Sequence, residues 1–275
     1  MSSFNSSVPV VLSLAAHDPC GSAGIQADIE TCMSLGCHCS PVITAICAKD
    51  TRELKEMVPV DSTLLIEQAR AILEDMPVAA IKLGFLGSVS NVEAAHTILR
   101  DYPNIPVILD PLTSVGDDEL LDSAALLKAT ITLLLPMATL ATPDLVEAHE
   151  LAKQGDTINA CASQILESGC QNVLITSVSR NNNSVDNVLY NQLGLVRTFS
   201  WPRLKLFSHG SGATLSASVA AYLAHGLRLI DAVEQGQQFT WSALEASRQL
   251  GMGKRIPNRI FWAKQNHADK KTKQN

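Results

Sequence analysis

The sequence predicts an α/β fold, with a mainly parallel central sheet, helices on both faces and a hairpin at one edge. Three observations carry this reading. Short apolar runs rich in strand-forming residues alternate with segments of helical period along almost the whole chain. Polar or glycine-containing residues collect where those runs end, the usual ligand position in open α/β sheets. The 275 residues are 46% hydrophobic, enough for a large core, and show no internal repeat or linker. A single domain over residues 1–275, with a polar tail at 264–275, is expected.

The elements follow in order. Val8 to Ala15 reads as a buried first strand, ending in the turn-rich loop His17 to Gly24. Ile25, Ile29, Cys32 and Met33 then recur at helical spacing, with Asp28 in the first turns. Ser40 to Ala48 is a second strand, followed by Lys49, Asp50 and Thr51. Leu64 to Leu73 is an amphipathic helix, and Val78 to Leu83 a strand that ends in Gly84-Phe85-Leu86-Gly87. Ser90 to Leu99 is a helix, with Ser90 and Glu93 at capping-box spacing. Val107 to Leu109 is a strand ending at Asp110-Pro111.

Leu120 to Leu135 reads two ways: the spacing of its leucines is helical, yet Ile131 to Leu135 would pass for a strand, and Pro136 ends either one. Thr139 to Thr142 is a strand end, and Pro143 to Glu147 starts a helix. Thr157 to Leu166 is helical, and Val173 to Thr176 is a strand leading to a polar loop at 179–184. Val188 to Tyr190 and Leu195 to Phe199, joined across Asn191 to Gly194, form the edge hairpin. A final long helix is expected over Leu229 to Leu250.

Composition narrows the function classes. A net charge of −6 argues against nucleic acid as a partner. No apolar run approaches a membrane span, and the N-terminal stretch lacks a charged region before its apolar segment, so a cytoplasmic protein without membrane partners is expected. The seven cysteines contain no C-x-x-C pair, and the run Cys32, Cys37, Cys39, Cys47 reads as small buried thiols rather than a zinc site. A homodimer is left open.

The stretch Ser208 to Gly226 is the most informative. Gly210 and Gly212 stand just before a small-residue helix marked by Leu215, Val219, Tyr222 and Leu223. Glycines there turn the backbone tightly, so that free N–H groups converge at the positive end of the helix dipole and form an anion hole suited to phosphate. The competing reading is a glycine turn before a tightly packed core helix. Asp18, Asp28, Lys49, Asp110 and Glu147 gather at other strand ends, and together with the glycines they suggest phosphoryl transfer with carboxylates for Mg²⁺.

From Val10 to about Trp262 the chain resembles the hydroxymethylpyrimidine/phosphomethylpyrimidine kinases of thiamin biosynthesis, which have a three-layer ribokinase-like fold. The segments that carry the likeness are HDPCGSAGIQADIE (His17 to Glu30), VITA (Val42 to Ala45), IKLGFLGS (Ile81 to Ser88), LDP (Leu109 to Pro111), ATPDLVEA (Ala141 to Ala148) and HGSGATLSA (His209 to Ala217). The first is the most distinctive, and the glycine loop is shared more widely. The resemblance implies ATP and Mg²⁺ as cofactors and a small pyrimidine as substrate. It implies that Ala23, Asp28, Lys49 and Leu112 line the pyrimidine pocket and that Asp110 and Glu147 hold Mg²⁺. It further implies that Gly210, Ser211, Gly212 and Ala213 form the catalytic anion hole, and that Thr176, Thr214 and the two glycines meet the nucleotide.

The chain departs from the family pattern at four places: Ala213 stands where Cys is usual, Lys49 where Gln is usual, Asp144 where Asn is usual, and Ser177-Val178 where Gly-Gly is usual. Alanine can neither take nor give a proton. Two readings therefore stand at this point, a kinase of the pyrimidine or its monophosphate, and a ribokinase-fold paralogue that binds a pyrimidine or vitamin without turnover. Pyridoxal is a lesser alternative as acceptor.

Overall fold

The computed structural model describes residues 8–112, 123–178, 183–206 and 208–264. Its elements in chain order are β1 (Val10–His17), α1 (Gly24–Ser34), β2 (His38–Lys49), β3 (Leu54–Pro59), α2 (Ser62–Asp75), β4 (Val78–Leu83), α3 (Val89–Asp101) and β5 (Val107–Leu109). There follow α4 (Ser123–Ala129), β6 (Leu140–Ala141), α5 (Leu145–Leu151), α6 (Ile158–Glu167), β7 (Asn172–Val178), β8 (Ser184–Asn191), β9 (Gly194–Pro202), α7 (Ser211–Ala224) and α8 (Leu229–Glu245). The strands form one nine-stranded sheet in the order β3-β2-β1-β4-β5-β6-β7-β8-β9. Pairing is parallel from β2 through β7 and antiparallel where β3, β8 and β9 join the edges.

The strand pleat sorts side chains between two cores. In β1, Leu12 and Leu14 face the layer of α2 to α6, whereas Val11 faces the layer of α1, α7 and α8. β1 leads through α1 to β2 on one side, and the chain then returns to β4 on the other side of β1. The order reverses there, so a crevice opens at the carboxyl ends of β1 and β4.

Several boundaries differ from the sequence expectation. β3 was not expected: its side chains are mostly exposed and it forms as an edge partner of β2, with Cys47 opposite Met57. The ambiguous stretch before Pro136 is helical: α4 passes into a π-helical turn at Thr130–Leu134 and a 3₁₀ turn at Leu135–Met137. The leucines that suggested a strand instead bury Leu134 and Leu135 against the core, and residues 120–122 lie outside the described part. The N-cap of α3 is Ser88, whose hydroxyl accepts from Asn91 N at 3.2 Å, and Ser90 lies inside the helix. α8 ends at Glu245, five residues earlier than expected, because Arg248 turns to pair with Ile256. In the polar loop, residues 179–182 lie outside the described part, as do residues 265–275 of the tail.

Among the described residues no helix is long and apolar enough to cross a membrane. Six of the seven cysteines are buried thiols, and Cys20 is half-buried.

Candidate active site

The glycine loop stands at the crevice. Gly210 caps α7 with φ 95° and ψ 16°, a left-handed conformation that a side chain disfavours. A Cβ there would also collide with the carbonyl of Ser22, so the loop after β1 and the start of α7 touch backbone to backbone. No side chain caps the helix among the described residues, which leaves its first amides free for a ligand. Thr214 is buried within the turn and donates to Gly210 O at 2.7 Å.

Arg259 ties the same two loops together. Its fully buried guanidinium donates to Gly21 O, Ser22 O, Glu30 Oε2 and Thr214 Oγ1, with three of these bonds at 3.0 Å. Nothing in the local pattern around Arg259 announces this role, since every partner is distant in sequence.

A cavity of about 330 Å³ opens between the strand ends and the glycine loop. Ala23, Lys49, Leu112, Asp110, Glu147 and Thr176 line it, as do Gly210, Ser211, Gly212 and Ala213. The fold thus gathers these predicted site residues around one space. A second cavity of about 240 Å³ shares Thr176, Ser177, Ser211 and Gly212 with the first, and extends between Trp201, Trp241, Leu215 and Leu244. The two cavities meet at the start of α7. Ser177, at this junction, holds φ 63°, the only such value outside glycine among the described residues.

Two predicted residues lie elsewhere. Thr214 is behind the glycine loop. Asp28 lies under the cavity floor, 0% exposed, with its Oδ2 accepting from Ser13 Oγ at 2.6 Å and from Lys82 Nζ at 3.0 Å. Lys82 reaches the floor from β4 and is itself 1% exposed. A lysine inside the apolar run Val78 to Leu83 was the available sign that a buried carboxylate awaited it.

The carboxylates differ by environment. Asp110 is 2% exposed, and burial pushes its pKa up to about 6, reinforced by Asp28 and Asp144 and opposed by Lys82 and the Ser216 hydroxyl. Its Oδ2 has no hydrogen-bond partner among the described residues, and a Cβ at Gly212 would lie 3.2 Å from its Oδ1. Glu147 is raised to about 8, by burial and then by repulsion from Asp110. It forms a capping box with Asp144: Asp144 N donates to Glu147 Oε2 at 2.8 Å and Glu147 N to Asp144 Oδ1 at 2.9 Å.

Asp18 behaves in the opposite way. Burial alone would raise its pKa, but hydrogen bonds from Cys20 and Ser22, the Lys49 charge and the Ala23 amide outweigh it and bring it down to about 2. A carboxylate depressed in the folded state stabilises it fully above the unfolded value of 3.8, and that stability is lost as pH falls through about 2. A drop of nearly two units corresponds to about 2 kcal/mol. Asp18→Asn should therefore lose about 2 kcal/mol at pH 7, and its urea midpoint should fall less than that of the wild type between pH 4 and 2. Parallel acid limbs in the two proteins would refute this account of Asp18.

The similarity to known proteins follows the same residues. The phosphomethylpyrimidine kinase profile matches residues 18–258. The chain is 30% identical over 258 residues to the thiamine biosynthesis bifunctional protein ThiED of Geobacter sulfurreducens, covering 92% of this chain and 52% of that protein. It therefore spans about half the length of that bifunctional relative. The hydroxymethylpyrimidine/phosphomethylpyrimidine kinase of Rhizobium meliloti is 32% identical over 249 residues, covering 89% of this chain and 93% of the relative. Among solved structures, an ADP complex of Bacillus subtilis pyridoxal kinase superposes with a TM-score of 0.85 at 27% identity, over 94% of this chain and 99% of that one. With its ribokinase-like sheet, its glycine loop at the sheet's crevice and a family match over most of its length, the chain belongs to the phosphomethylpyrimidine kinase family.

Proposed function

We propose that the chain transfers the γ-phosphoryl group of ATP to 4-amino-5-hydroxymethyl-2-methylpyrimidine or to its monophosphate, in thiamin biosynthesis. One observation carries the reading: the uncapped start of α7 stands where two cavities meet, with a buried carboxylate against it. The smaller cavity, with Trp201 and Trp241, suits the flat base of the nucleotide, whose phosphates would pass Thr176 and Ser177 to the glycine loop. The larger suits the pyrimidine, between Ala23, Leu112 and Lys49.

Phosphoryl transfer needs positioning and charge stabilisation more than covalent help. The amides of Gly210 to Gly212 supply fixed positive dipoles where charge accumulates. Asp110 and Glu147 fit Mg²⁺: both are oxygen ligands, they repel each other, and Asp110 Oδ2 is unpartnered among the described residues. Two carboxylates completed by phosphate and water are a usual Mg²⁺ set, and the ion would neutralise charge on the nucleotide phosphates. The same reading makes the protein a cytoplasmic enzyme, and sedimentation velocity would decide whether it is a homodimer.

A second acceptor, pyridoxal, is favoured by the likeness to pyridoxal kinase at a TM-score of 0.85. Single-turnover transfer from labelled ATP to hydroxymethylpyrimidine, its monophosphate and pyridoxal distinguishes the readings. Transfer to a pyrimidine supports the proposal, transfer to pyridoxal alone replaces it, and absence of all three supports a binding protein. Ala213 lines the acceptor cavity with a methyl group. Ala213→Cys should raise kcat on the free alcohol at least about tenfold, the low end of what a positioned base contributes, with nucleotide KM little changed. If wild type already turns over the alcohol at an ordinary kinase rate and the variant is no faster, a side chain there has no part in proton removal.

A further inference from the structure

The strand that reaches the smaller cavity is kinked. Between Ile175, opposite Val188, and Val178, opposite Asp186, two residues of β7 face the single Asn187 of β8. The strand therefore bulges at Thr176 and Ser177. Thr176 N still donates to Pro143 O at 2.9 Å and stays paired beside Asp144, so the extra residue is taken up at Ser177, where φ is 63°. A serine keeps this left-handed conformation only where its surroundings determine it. Ser177 is exposed at the junction of the two cavities, so packing of its side chain does not hold it.

A chain of side-chain amides holds it instead. Asn187 Oδ1 accepts from Ser177 N at 3.0 Å. Asn187 Nδ2 donates to Gln237 Oε1 at 2.8 Å, and Trp201 Nε1 donates to the same oxygen at 2.9 Å. Gln237 stands on α8, is 3% exposed, and its Nε2 donates to Val233 O one turn earlier at 3.1 Å. The indole N–H can only donate, so the Gln237 oxygen must face it. The Asn187 group against that oxygen is then its NH₂, which turns Asn187 Oδ1 to the Ser177 amide. One orientation of each amide satisfies all four bonds.

Two parts of the cavity wall are thereby tied to one atom. Trp201 lines the smaller cavity, Ser177 lines both, and each reaches Gln237 Oε1, directly or through Asn187. A buried network with its bonds filled has few alternative arrangements. Ring and bulge are therefore fixed relative to each other before any ligand arrives, and a ligand that touches both loses less freedom on binding.

We infer that Gln237 and Asn187 are positioning residues for the nucleotide. They preset Trp201 against the base and the Ser177 bulge against the phosphates, and so set the affinity for ATP rather than the rate of transfer. The inference rests on the kinase reading for the identity of the ligand. Contacts preset in this way act alike on the bound substrate and on the transition state, so their loss shows in KM and not in kcat.

The test uses the full chain with Mg-ATP. Asn187→Ala removes the acceptor from the Ser177 amide and leaves the bond between Trp201 and Gln237. It should raise the KM for ATP about tenfold, the scale of one hydrogen bond, with kcat and the acceptor KM within about twofold. Gln237→Met removes the shared oxygen at similar volume and should raise the ATP KM further. It should also weaken inhibition by adenosine, which has a base and no phosphate, about threefold, whereas Asn187→Ala should not. The decisive arm takes Ser177→Gly as parent. Glycine adopts positive φ about as readily as negative, so the bulge no longer needs the amide chain. Adding Asn187→Ala to that parent should change its ATP KM less than about twofold. A merely structural loss would lower the melting temperature alike in both parents and leave KM where it was. Should Gln237→Met fail to fold, the Asn187 and Ser177 variants decide the question by themselves. An ATP KM unmoved by Asn187→Ala, or moved by the same factor in both parents, overturns the inference and leaves the kinase reading standing. If no acceptor is phosphorylated, calorimetry of Mg-ATP replaces KM. The same pattern of losses then sinks the kinase reading alone, and uniform affinities or no binding sink both.

Discussion

Gly210→Val should reduce kcat about a thousandfold in a protein that still folds. The valine would have to hold φ near 95°, a conformation that costs a non-glycine residue about 1–3 kcal/mol. Its Cβ would also run into the Ser22 carbonyl, a backbone atom that Arg259 holds in place. The glycine loop must move away, carrying the anion-hole amides with it. Losing one such donor typically costs 10²–10³-fold, and a displacement of about 1 Å costs a similar factor. Gly226→Ala supplies the control, because Gly226 has φ 85° at the far end of the same helix with open space around it. It should lower the melting temperature through the strain of its positive φ alone and keep kcat within about twofold. If Gly210→Val retains wild-type turnover, or Gly226→Ala loses as much, the catalytic role of the glycine loop is refuted.

Lys82→Met should cost about 3–5 kcal/mol of stability, the usual consequence of leaving a buried charge unpaired. Lys82 and Asp28 lie 3.0 Å apart with side-chain exposures of 1% and 0%. Burial opposes the charge on Lys82, but Asp28 and Asp110 together outweigh it, so the ammonium is held charged beneath the cavity. Methionine of similar volume removes the cation and strands Asp28, whose Oδ1 already lacks a partner among the described residues. A fall in melting temperature of about 10 °C is expected for a chain of this size. The double variant Lys82→Met/Asp28→Asn should recover most of that loss, because a neutral pair no longer strands a charge. A single variant within about 1 kcal/mol of wild type, or a double variant no better than the single, would sink the assignment.

The local elements were legible because their causes are local. β4 spans Val78–Leu83 and β5 Val107–Leu109, as the apolar runs predict, and the hairpin of β8 and β9 lies at the edge where its turn put it. The helix starts after Pro143 and after Gly210 depend on neighbours within four residues. β3 was not legible, since an edge strand with exposed side chains has no buried face to mark it. The cap of α3 was misplaced by two residues because Ser88 and Ser90 offer the same hydroxyl, and only the chain's exit from β4 selects Ser88.

The sequence by itself determined the alternation that builds the sheet, the strand ends where the site forms and the glycine loop that opens α7. All three follow from backbone conformation and side-chain period, which act over a few residues. The tertiary structure alone decided which charged groups share a space. Asp28 and Asp18 are ten residues apart and chemically alike, yet Asp28 is drawn beneath the floor by Lys82, while Asp18 stays at the cavity wall beside Lys49. Arg259 and Lys254 reach the site from beyond α8 through hydrogen bonds to carbonyls and hydroxyls of loops far away in the chain. Such bonds leave no periodic trace, because any residue supplies the backbone carbonyl and only the closed sheet fixes which one lies within reach.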